Sequence, residues 1–285
     1  MPYDSIYRPG LFSGQTVIIT GGGTGIGRCT AHELAALGAR VALVGRRIEK
    51  LDATVREIQR EGGDASAHMC DIREEARVQA VIDSVLDRNG RIDALVNNAG
   101  GQYIAPIRDL RTKGWEAVIR NNLTGGFIFS REVYLRWMEK NGGVIVNMIA
   151  DIAGGWPLAA HSGAARAGML NFTQSAAAEW AHSGVRVNAV GPGGIDGSGM
   201  ATYTDEEKRP FLNAHKRVPL QRRGTEAEVS SAIVFLLSPG ATYITGSLIS
   251  VDGGAPTARR LQELPHHTKS KPYEGLHLVA DDRQV

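Results

Sequence analysis

The chain has 285 residues, enough for one large α/β domain, and its hydrophobic (42%) and charged (22%) fractions are ordinary for a globular protein. The 32 basic and 30 acidic residues give a net charge of +2 without a strong block of one sign, which argues against disorder and against a nucleic-acid-binding surface. Apolar runs are too short to span a bilayer, and the N-terminus lacks a secretory signal pattern. We therefore predict a cytoplasmic protein with no membrane or nucleic-acid partner.

Two cysteines occur, Cys29 and Cys70, and they are far apart in the sequence. Neither has the Cys-x-x-Cys spacing of a metal site, and two cysteines make a disulfide framework implausible. We predict two buried thiols in a reducing compartment and no metal site.

Short apolar runs alternate with longer amphipathic stretches along most of the chain. Strands are predicted at Thr16–Thr20, Arg40–Val44, Ala65–Cys70, Ile92–Asn97, Gly143–Ile149, Val185–Val190 and Ser247–Val251. Helices are predicted at Arg28–Leu37, Glu49–Arg60, Glu74–Arg88, Thr112–Glu139, His161–Ala181 and Glu226–Leu237. This alternation predicts an α/β fold with a parallel sheet, helices on both faces and right-handed crossovers.

The alternation shows no internal boundary, so residues 1–254 are predicted to form one domain. Residues 255–285 are polar, contain several His, Lys and Pro residues, and lack periodicity. We interpret them as a C-terminal extension that is either disordered or packed over the domain or a neighbouring subunit. Residues 197–210, which follow the sixth strand, are polar and are the expected substrate lid.

A glycine-rich turn joins the first strand to the first helix. Glycine there permits a tight turn and close approach to a pyrophosphate, and the helix N-terminus offers amide donors to phosphate. A strand–turn–helix context makes this motif specific for a dinucleotide. The predicted phosphate-binding residues are Gly21, Gly23, Thr24, Gly25, Ile26 and Gly27.

The end of the second strand indicates which dinucleotide binds. NAD-binding units usually place an acidic residue there to hold the ribose 2′-hydroxyl, but this chain has Arg46 and Arg47. Arginine can pair with a 2′-phosphate in bidentate geometry. We predict NADP(H), against the alternative that both arginines are merely solvated residues at a helix start.

Several further motifs resemble those of the short-chain dehydrogenase/reductase family. They are TGGGTGIG (20–27), Cys70-Asp71-Ile72, NNAG (97–100), Asn122, Gly191-Pro192-Gly193-Gly194-Ile195 and VDGG (251–254), which together span nearly the whole chain. The resemblance implies one Rossmann-type, doubly wound domain with a seven-stranded parallel sheet in the order 3-2-1-4-5-6-7, assembled as a homodimer or homotetramer. It also implies further cofactor contacts, at Asp71, Ile72, Asn98, Ala99, Gly100, Pro192, Gly193 and Ile195.

The catalytic positions depart from the family pattern of Ser, Tyr-x-x-x-Lys and Asn. Aligning HSGAARAG (161–168) on the family puts Ser162 at the tyrosine position and Arg166 at the lysine position. The serine position falls at Ile149 or Ala150, and only Asn122 is retained. A serine hydroxyl is a much poorer acid than a phenol, so simple carbonyl reduction loses its proton donor. Arg166 keeps the positive charge that can hold the nicotinamide ribose and support developing negative charge.

The segments NNAGGQY (97–103), 114–127 and 161–168 and the polar tail resemble trans-2-enoyl-CoA reductases of the peroxisomal type. The resemblance implies NADPH-dependent reduction of the C2=C3 double bond of an enoyl-CoA. One departure is Leu170, where those enzymes carry a tyrosine proposed as proton donor. The C-terminal Asp-Arg-Gln-Val is no peroxisomal address, which favours the cytoplasm.

The proton donor is left open between four side chains: Asp151, His161, Ser162 and Tyr103. Asp151 follows the fifth strand and would need a raised pKa, whereas Tyr103 could roof the substrate pocket. His161 could donate at neutral pH, but its one-residue offset from Ser162 argues that it points away from the site. Two other functions stay open: an alcohol/carbonyl oxidoreductase acting on a branched or terpenoid substrate, and a catalytically silent NADP(H)-binding protein.

Overall fold

The structure, a computed structural model, describes residues 3–197, 204, 218–257 and 266–276. Seven strands alternate with helices, as the sequence predicts. The strands are β1 (Thr16–Thr20), β2 (Arg40–Gly45), β3 (Asp64–Met69), β4 (Ala94–Asn97), β5 (Gly143–Met148), β6 (Val185–Pro192) and β7 (Leu248–Val251). The helices are α1 (Gly25–Ala36), α2 (Ile48–Arg60), α3 (Glu75–Asn89), α4 (Thr112–Ile119), α5 (Gly125–Val133), α6 (Glu139–Asn141), α7 (Ala160–Trp180) and α8 (Glu226–Leu237).

The long helical stretch predicted at Thr112–Glu139 is not one regular helix. Two π-helical turns, Arg120–Thr124 and Tyr134–Met138, interrupt it and separate α4, α5 and α6. A π turn widens the helix by one residue and changes the direction of the side chains within it, and such turns are common at functional sites. The first of them contains Asn122.

All seven strands form one parallel sheet in the order β3-β2-β1-β4-β5-β6-β7, which confirms the predicted fold and strand order. Side chains of β1 alternate between two hydrophobic cores because successive residues of a strand point to opposite faces. Val17 and Ile19 pack on one face with α1, α2 and α8, and Ile18 packs on the other face with α3, α5 and α7. The sheet is therefore covered on both sides.

The two thiols are free and buried, as predicted. Burial raises the pKa of the Cys70 thiol to about 11, so it stays protonated and unreactive at neutral pH. Within the described ranges, no helix is long and apolar enough to cross a bilayer.

Past β6, a two-residue parallel bridge pairs Ile195–Asp196 with Gly224–Thr225. The predicted substrate lid, residues 197–210, lies in sequence between the two strands of this bridge, and apart from Gly197 and Thr204 it lies outside the described residues. Residues 266–276 pack against the second strand of the bridge, where the Thr225 hydroxyl donates to the Tyr273 carbonyl at 2.6 Å. The Asp4 amide in turn donates to the Gly275 carbonyl at 3.0 Å. The division of the chain at residue 254 stays a prediction.

A buried carboxylic acid, Glu33 of α1, lies between residues 3–5 and α8. Its side chain accepts hydrogen bonds from the hydroxyls of Ser230, Ser5 (3.0 Å) and Tyr3 (3.3 Å). The residue is fully buried, and burial raises the pKa of its carboxyl group despite these hydrogen bonds. Folding therefore favours the protonated acid.

We expect Glu33→Gln, which resembles the protonated acid, to become more stable relative to wild type as pH rises. The folded state keeps the Glu33 proton to a higher pH than the unfolded chain, so wild-type stability falls from about pH 4.3 upward, until the folded state also ionises. Urea unfolding at pH 5 and pH 8 measures the difference. The control is Glu139→Gln at an exposed carboxylate. Equal pH dependence in wild type and Glu33→Gln would contradict the prediction.

Candidate active site

A cleft opens at the carboxyl ends of β1 to β4, where an open parallel sheet binds its ligands. It contains nine of the predicted cofactor residues: Gly21, Gly23, Thr24, Arg46, Arg47, Asp71, Ile72, Ala99 and Gly100. The other lining residues are Gly45, Lys50, Leu51, Cys70 and Asn121. Four separate loops thus converge on one groove, as the motif spacing predicts.

The glycine turn is held by close backbone contacts. Gly21 has a φ of +70°, a conformation that glycine adopts easily. A Cβ on Gly27 would collide with the Gly21 carbonyl oxygen. The Asn98 side-chain amide donates to the carbonyls of Thr20 (3.0 Å) and Gly21 (3.3 Å). Gly25 and Ile26 open α1 behind the turn, so together with Gly27 and Asn98 they support the groove without lining it.

Three cationic side chains line the outer end of the groove: Arg46, Arg47 and Lys50. Lys50 was missed in the sequence, although its position three residues after Arg47, in the first turn of α2, could have indicated it. Asp71 lies beside them and accepts hydrogen bonds from Arg73, whose Nε lies 2.8 Å from Oδ1. These bonds lower the pKa of Asp71 to about 2, so it is anionic at neutral pH.

The predicted catalytic residues Asn122 and Ser162 meet in the protein interior. The Asn122 side-chain amide donates to the Ser162 hydroxyl at 3.2 Å, and its oxygen accepts the Gly101 amide at 2.9 Å. Both side chains are buried. Asn122 lies in the π turn, whereas Ser162 lies in the first turn of α7, so the bond joins two helices that follow different strands.

Arg166 crosses the same region from one turn further along α7. Its Nη1 donates to the Met148 carbonyl at the end of β5, at 2.6 Å. A Cβ on Gly100 would collide with the guanidinium, so the absence of a side chain there makes room for it. Burial lowers the pKa of Arg166 to about 10, which leaves it cationic at neutral pH. No ion-pair partner for Arg166 occurs in the described part of the chain.

His161 and Tyr103 form one wall beside Ser162. Their rings are perpendicular, with centroids 4.6 Å apart. The amide of Ala105 donates to the carbonyl of Leu158 at 2.8 Å, which ties the loop after β4 to the loop that leads into α7. His161 is fully buried, whereas Tyr103 is 38% exposed.

The remaining predicted residues make their hydrogen bonds outside this group. The Asp151 carboxylate accepts the Ala153 amide at 3.2 Å in a local turn, and its backbone amide donates to the Pro192 carbonyl. Gly193 donates its amide to Val251, and Ile195 pairs with Gly224 past the end of β6. Among the described residues, no hydrogen bond joins Asn122, Ser162 or Arg166 to these predicted residues, which are Asp151, Pro192, Gly193 and Ile195.

Two apolar residues pack together here: Ile149, one of the two candidates for the family's serine position, and Leu170, where the peroxisomal-type enzymes carry a tyrosine. Ile149 is buried, and Leu170 contacts the small hydrophobic cluster that contains it, together with Met169 and Ala189. Neither side chain carries a hydroxyl, so neither can donate a proton. Any donor must come from elsewhere in the site.

A family model described as enoyl-(acyl carrier protein) reductase matches residues 21–256. The chain belongs to the short-chain dehydrogenase/reductase family. This short-chain dehydrogenase/reductase is 40% identical over 245 residues to a probable 2,4-dienoyl-CoA reductase of Bacillus subtilis, covering 84% of the chain and 96% of the relative. It is 35% identical to a peroxisomal 2,4-dienoyl-CoA reductase of Danio rerio, over 89% of the chain and 85% of the relative.

The fold also resembles solved members of the family. A citronellol catabolism dehydrogenase of Pseudomonas aeruginosa PAO1 is 56% identical, with a TM-score of 0.80 over 89% of this chain and all (100%) of that one. The family prediction is thereby confirmed, and this short-chain dehydrogenase/reductase is an oxidoreductase that uses a nicotinamide cofactor.

Proposed function

We propose that this protein reduces the C2=C3 double bond of an unsaturated acyl-CoA with NADPH. The observation that carries the proposal is the buried Asn122–Ser162 pair with Arg166 close by, in place of a tyrosine–lysine pair. Such a site lacks the phenol that carbonyl reduction needs, but it keeps donors for an oxyanion. Curated relatives named as 2,4-dienoyl-CoA reductases support the same substrate class.

The groove residues fit NADPH. The glycine turn lines the groove directly before the N-terminus of α1, where a pyrophosphate can accept backbone amides. Arg46, Arg47 and Lys50 offer positive charge for a 2′-phosphate. Asp71 would contact the adenine, and Arg166 would hold the nicotinamide ribose. When bound, NADPH supplies a hydride. We extend the proposal to Pro192, Gly193 and Ile195 as contacts near the nicotinamide.

The site residues act on the charge that builds up in the substrate. Hydride addition at the β-carbon moves an electron pair onto the thioester oxygen, which needs positive charge and hydrogen-bond donors. Arg166 provides the buried cation, and Ser162 provides a hydroxyl. A proton added at the α-carbon completes the saturated thioester. Tyr103, Asp151 and His161 are the remaining candidates to deliver it, because the Ser162 hydroxyl is a weak acid.

The test follows NADPH oxidation with 2-hexenoyl-CoA, 2,4-hexadienoyl-CoA, acetoacetyl-CoA and a simple aldehyde. We expect turnover with the two unsaturated thioesters at kcat/KM values at least tenfold above those for the two carbonyl substrates. Faster reduction of acetoacetyl-CoA or of the aldehyde would overturn the proposal. Tight NADPH binding without any turnover would favour a silent binding protein.

The alternative is an alcohol/carbonyl oxidoreductase acting on a branched or terpenoid substrate. Its support is the 56% identity to a citronellol catabolism dehydrogenase. Reduction of NADP⁺ with citronellol, and none of the thioester activity, would favour it.

We also propose a cytoplasmic homodimer or homotetramer. Large apolar side chains are exposed along the helical stretch that begins with α4, including Trp115 (38%), Phe127 (38%) and Leu135 (54%). Contact with a second copy would remove this surface from water. A monomer in light scattering would contradict the assembly.

A further inference from the structure

The imidazole of His161 has a buried nitrogen atom with no partner. The residue is fully buried, and its Nε2 makes no hydrogen bond to any described residue. Buried polar atoms are nearly always hydrogen-bonded, because leaving one unpaired loses the bond that water would have made. The ring packs against Tyr103, which lines a surface cavity, and its other nitrogen bonds the Ser162 amide. An unpaired atom at this place indicates a bond that a ligand completes.

The other ring nitrogen determines which form of the ring is present. Nδ1 accepts the backbone amide of Ser162 at 2.9 Å, so it carries no proton. The proton of the neutral ring then lies on Nε2, the atom without a partner. The Nε2–H of His161 is therefore an available hydrogen-bond donor. The backbone amide of Ser162, in the same helix, orients the ring.

The position of His161 suits an oxyanion. It lies in the first turn of α7, a helix of 21 residues, where the partial charge of the helix dipole is positive. Ser162 follows His161 directly, and Arg166 lies four residues after Ser162 in the same helix. The ring of Tyr103 stands perpendicular against the imidazole and restricts its rotation.

We propose that the Nε2–H of His161 donates a hydrogen bond to the thioester oxygen of the bound acyl-CoA, which makes His161 a catalytic residue. The inference rests on the proposed function. It gives the oxygen a neutral donor in addition to the cation of Arg166.

His161 keeps its proton throughout. Nδ1 already accepts a hydrogen bond, so transfer of the Nε2 proton would leave an imidazolate anion. That anion is far less stable than a neutral ring that keeps its proton in a hydrogen bond. The ring polarises the oxygen, as a neutral imidazole can do at a helix N-terminus, and the α-carbon proton comes from another group.

Two substitutions separate this role from a structural one. In His161→Gln, the side-chain amide nitrogen of glutamine can take the place of Nε2. In His161→Asn, the shorter side chain reaches only the position of Nδ1, where its oxygen can still accept the Ser162 amide. We expect kcat for 2-hexenoyl-CoA to fall about 10²- to 10³-fold in His161→Asn, and by less than tenfold in His161→Gln. NADPH affinity should stay within about twofold in both. The control is His182→Asn, at an exposed histidine beyond the far end of α7.

The reverse order, with Asn active and Gln inactive, would assign His161 to support of the Ser162 amide and overturn the proposal. Equal activity of both variants and wild type would overturn it as well.

A second measurement does not depend on turnover. In ¹⁵N-histidine NMR spectra of the full chain, we expect His161 to be neutral with its proton on Nε2, and that proton signal to move downfield when NADP⁺ and hexanoyl-CoA are added together. A proton on Nδ1, or no response to hexanoyl-CoA, would overturn the proposal. If wild type fails to reduce any unsaturated thioester but the NMR response is present, the proposed reaction fails while the hydrogen bond to the thioester stands.

Discussion

Replacing Arg46 and Arg47 together by alanine is expected to raise the KM for NADPH about 100-fold and to leave the KM for NADH within about twofold. Both side chains line the outer end of the groove, next to Lys50. A hydrogen bond to a charged group contributes about 1.5–3 kcal/mol, so loss of two such bonds corresponds to at least about two orders of magnitude in affinity. NADH lacks the 2′-phosphate and would lose little.

Steady-state kinetics with both cofactors, supported by calorimetry, measures this change in preference. Lys50→Ala tests the residue that the sequence did not indicate, and we expect a loss of about tenfold for NADPH. The matched control is Arg56→Ala, which removes the same charge from an exposed position on α2 outside the groove. An equal rise in KM for NADH and NADPH would mean that the arginines support binding of the whole cofactor and not of the 2′-phosphate. Equal use of both cofactors by wild type would defeat the NADP(H) inference itself.

The fold could be predicted from the sequence because its strands are buried on both faces. A continuous apolar run such as Thr16–Thr20 is typical of a parallel strand, and helices alternate with most of these runs. Gly90, which closes α3, has a φ of +71° and follows the predicted end of that helix by two residues. Element boundaries therefore differ from the predicted ones by only a few residues.

The interruption of the long helix could not be predicted in the same way. Hydrophobic periodicity barely changes across Arg120–Thr124, because a π turn adds a single residue. The turn becomes understandable only once Asn122 contacts Gly101 and Ser162, residues distant in sequence. Local propensity carries no information about such contacts.

The residues of the candidate site could be predicted from the sequence, but the contacts between residues from distant segments could not. The spacing of Ser162 and Arg166 predicts that they share one face of a helix. However, the space that Gly100 leaves for Arg166 depends on two loops meeting at the sheet edge. The unpaired Nε2 of His161 likewise depends on Tyr103 and the loop around Leu158, which cover the ring.

Arg166 provides the sharpest test of how charge is used in this site, because its effects on stability and on activity should have opposite signs. A buried cation loses its hydration, and replacement by an apolar side chain of similar length is often neutral or stabilising. Arg166→Met also removes the hydrogen bond to the Met148 carbonyl, worth about 1–3 kcal/mol when the acceptor stays buried. Because desolvation of an unpaired charge costs several kcal/mol, we expect the unfolding midpoint to stay equal or rise.

The activity of Arg166→Met is expected to fall by about 10²- to 10³-fold in kcat/KM for 2-hexenoyl-CoA, since the site would lose both its cation and its hold on the ribose. Arg166→Lys keeps a positive charge but not the planar fork, and should retain activity within about tenfold of wild type. Thermal unfolding and kinetics on the same preparations give the two readouts together. If Arg166→Met lost stability and activity in parallel, the guanidinium would be a structural link between β5 and α7. A more stable but inactive enzyme would mean that the chain retains an unfavourable buried charge for the sake of its chemistry.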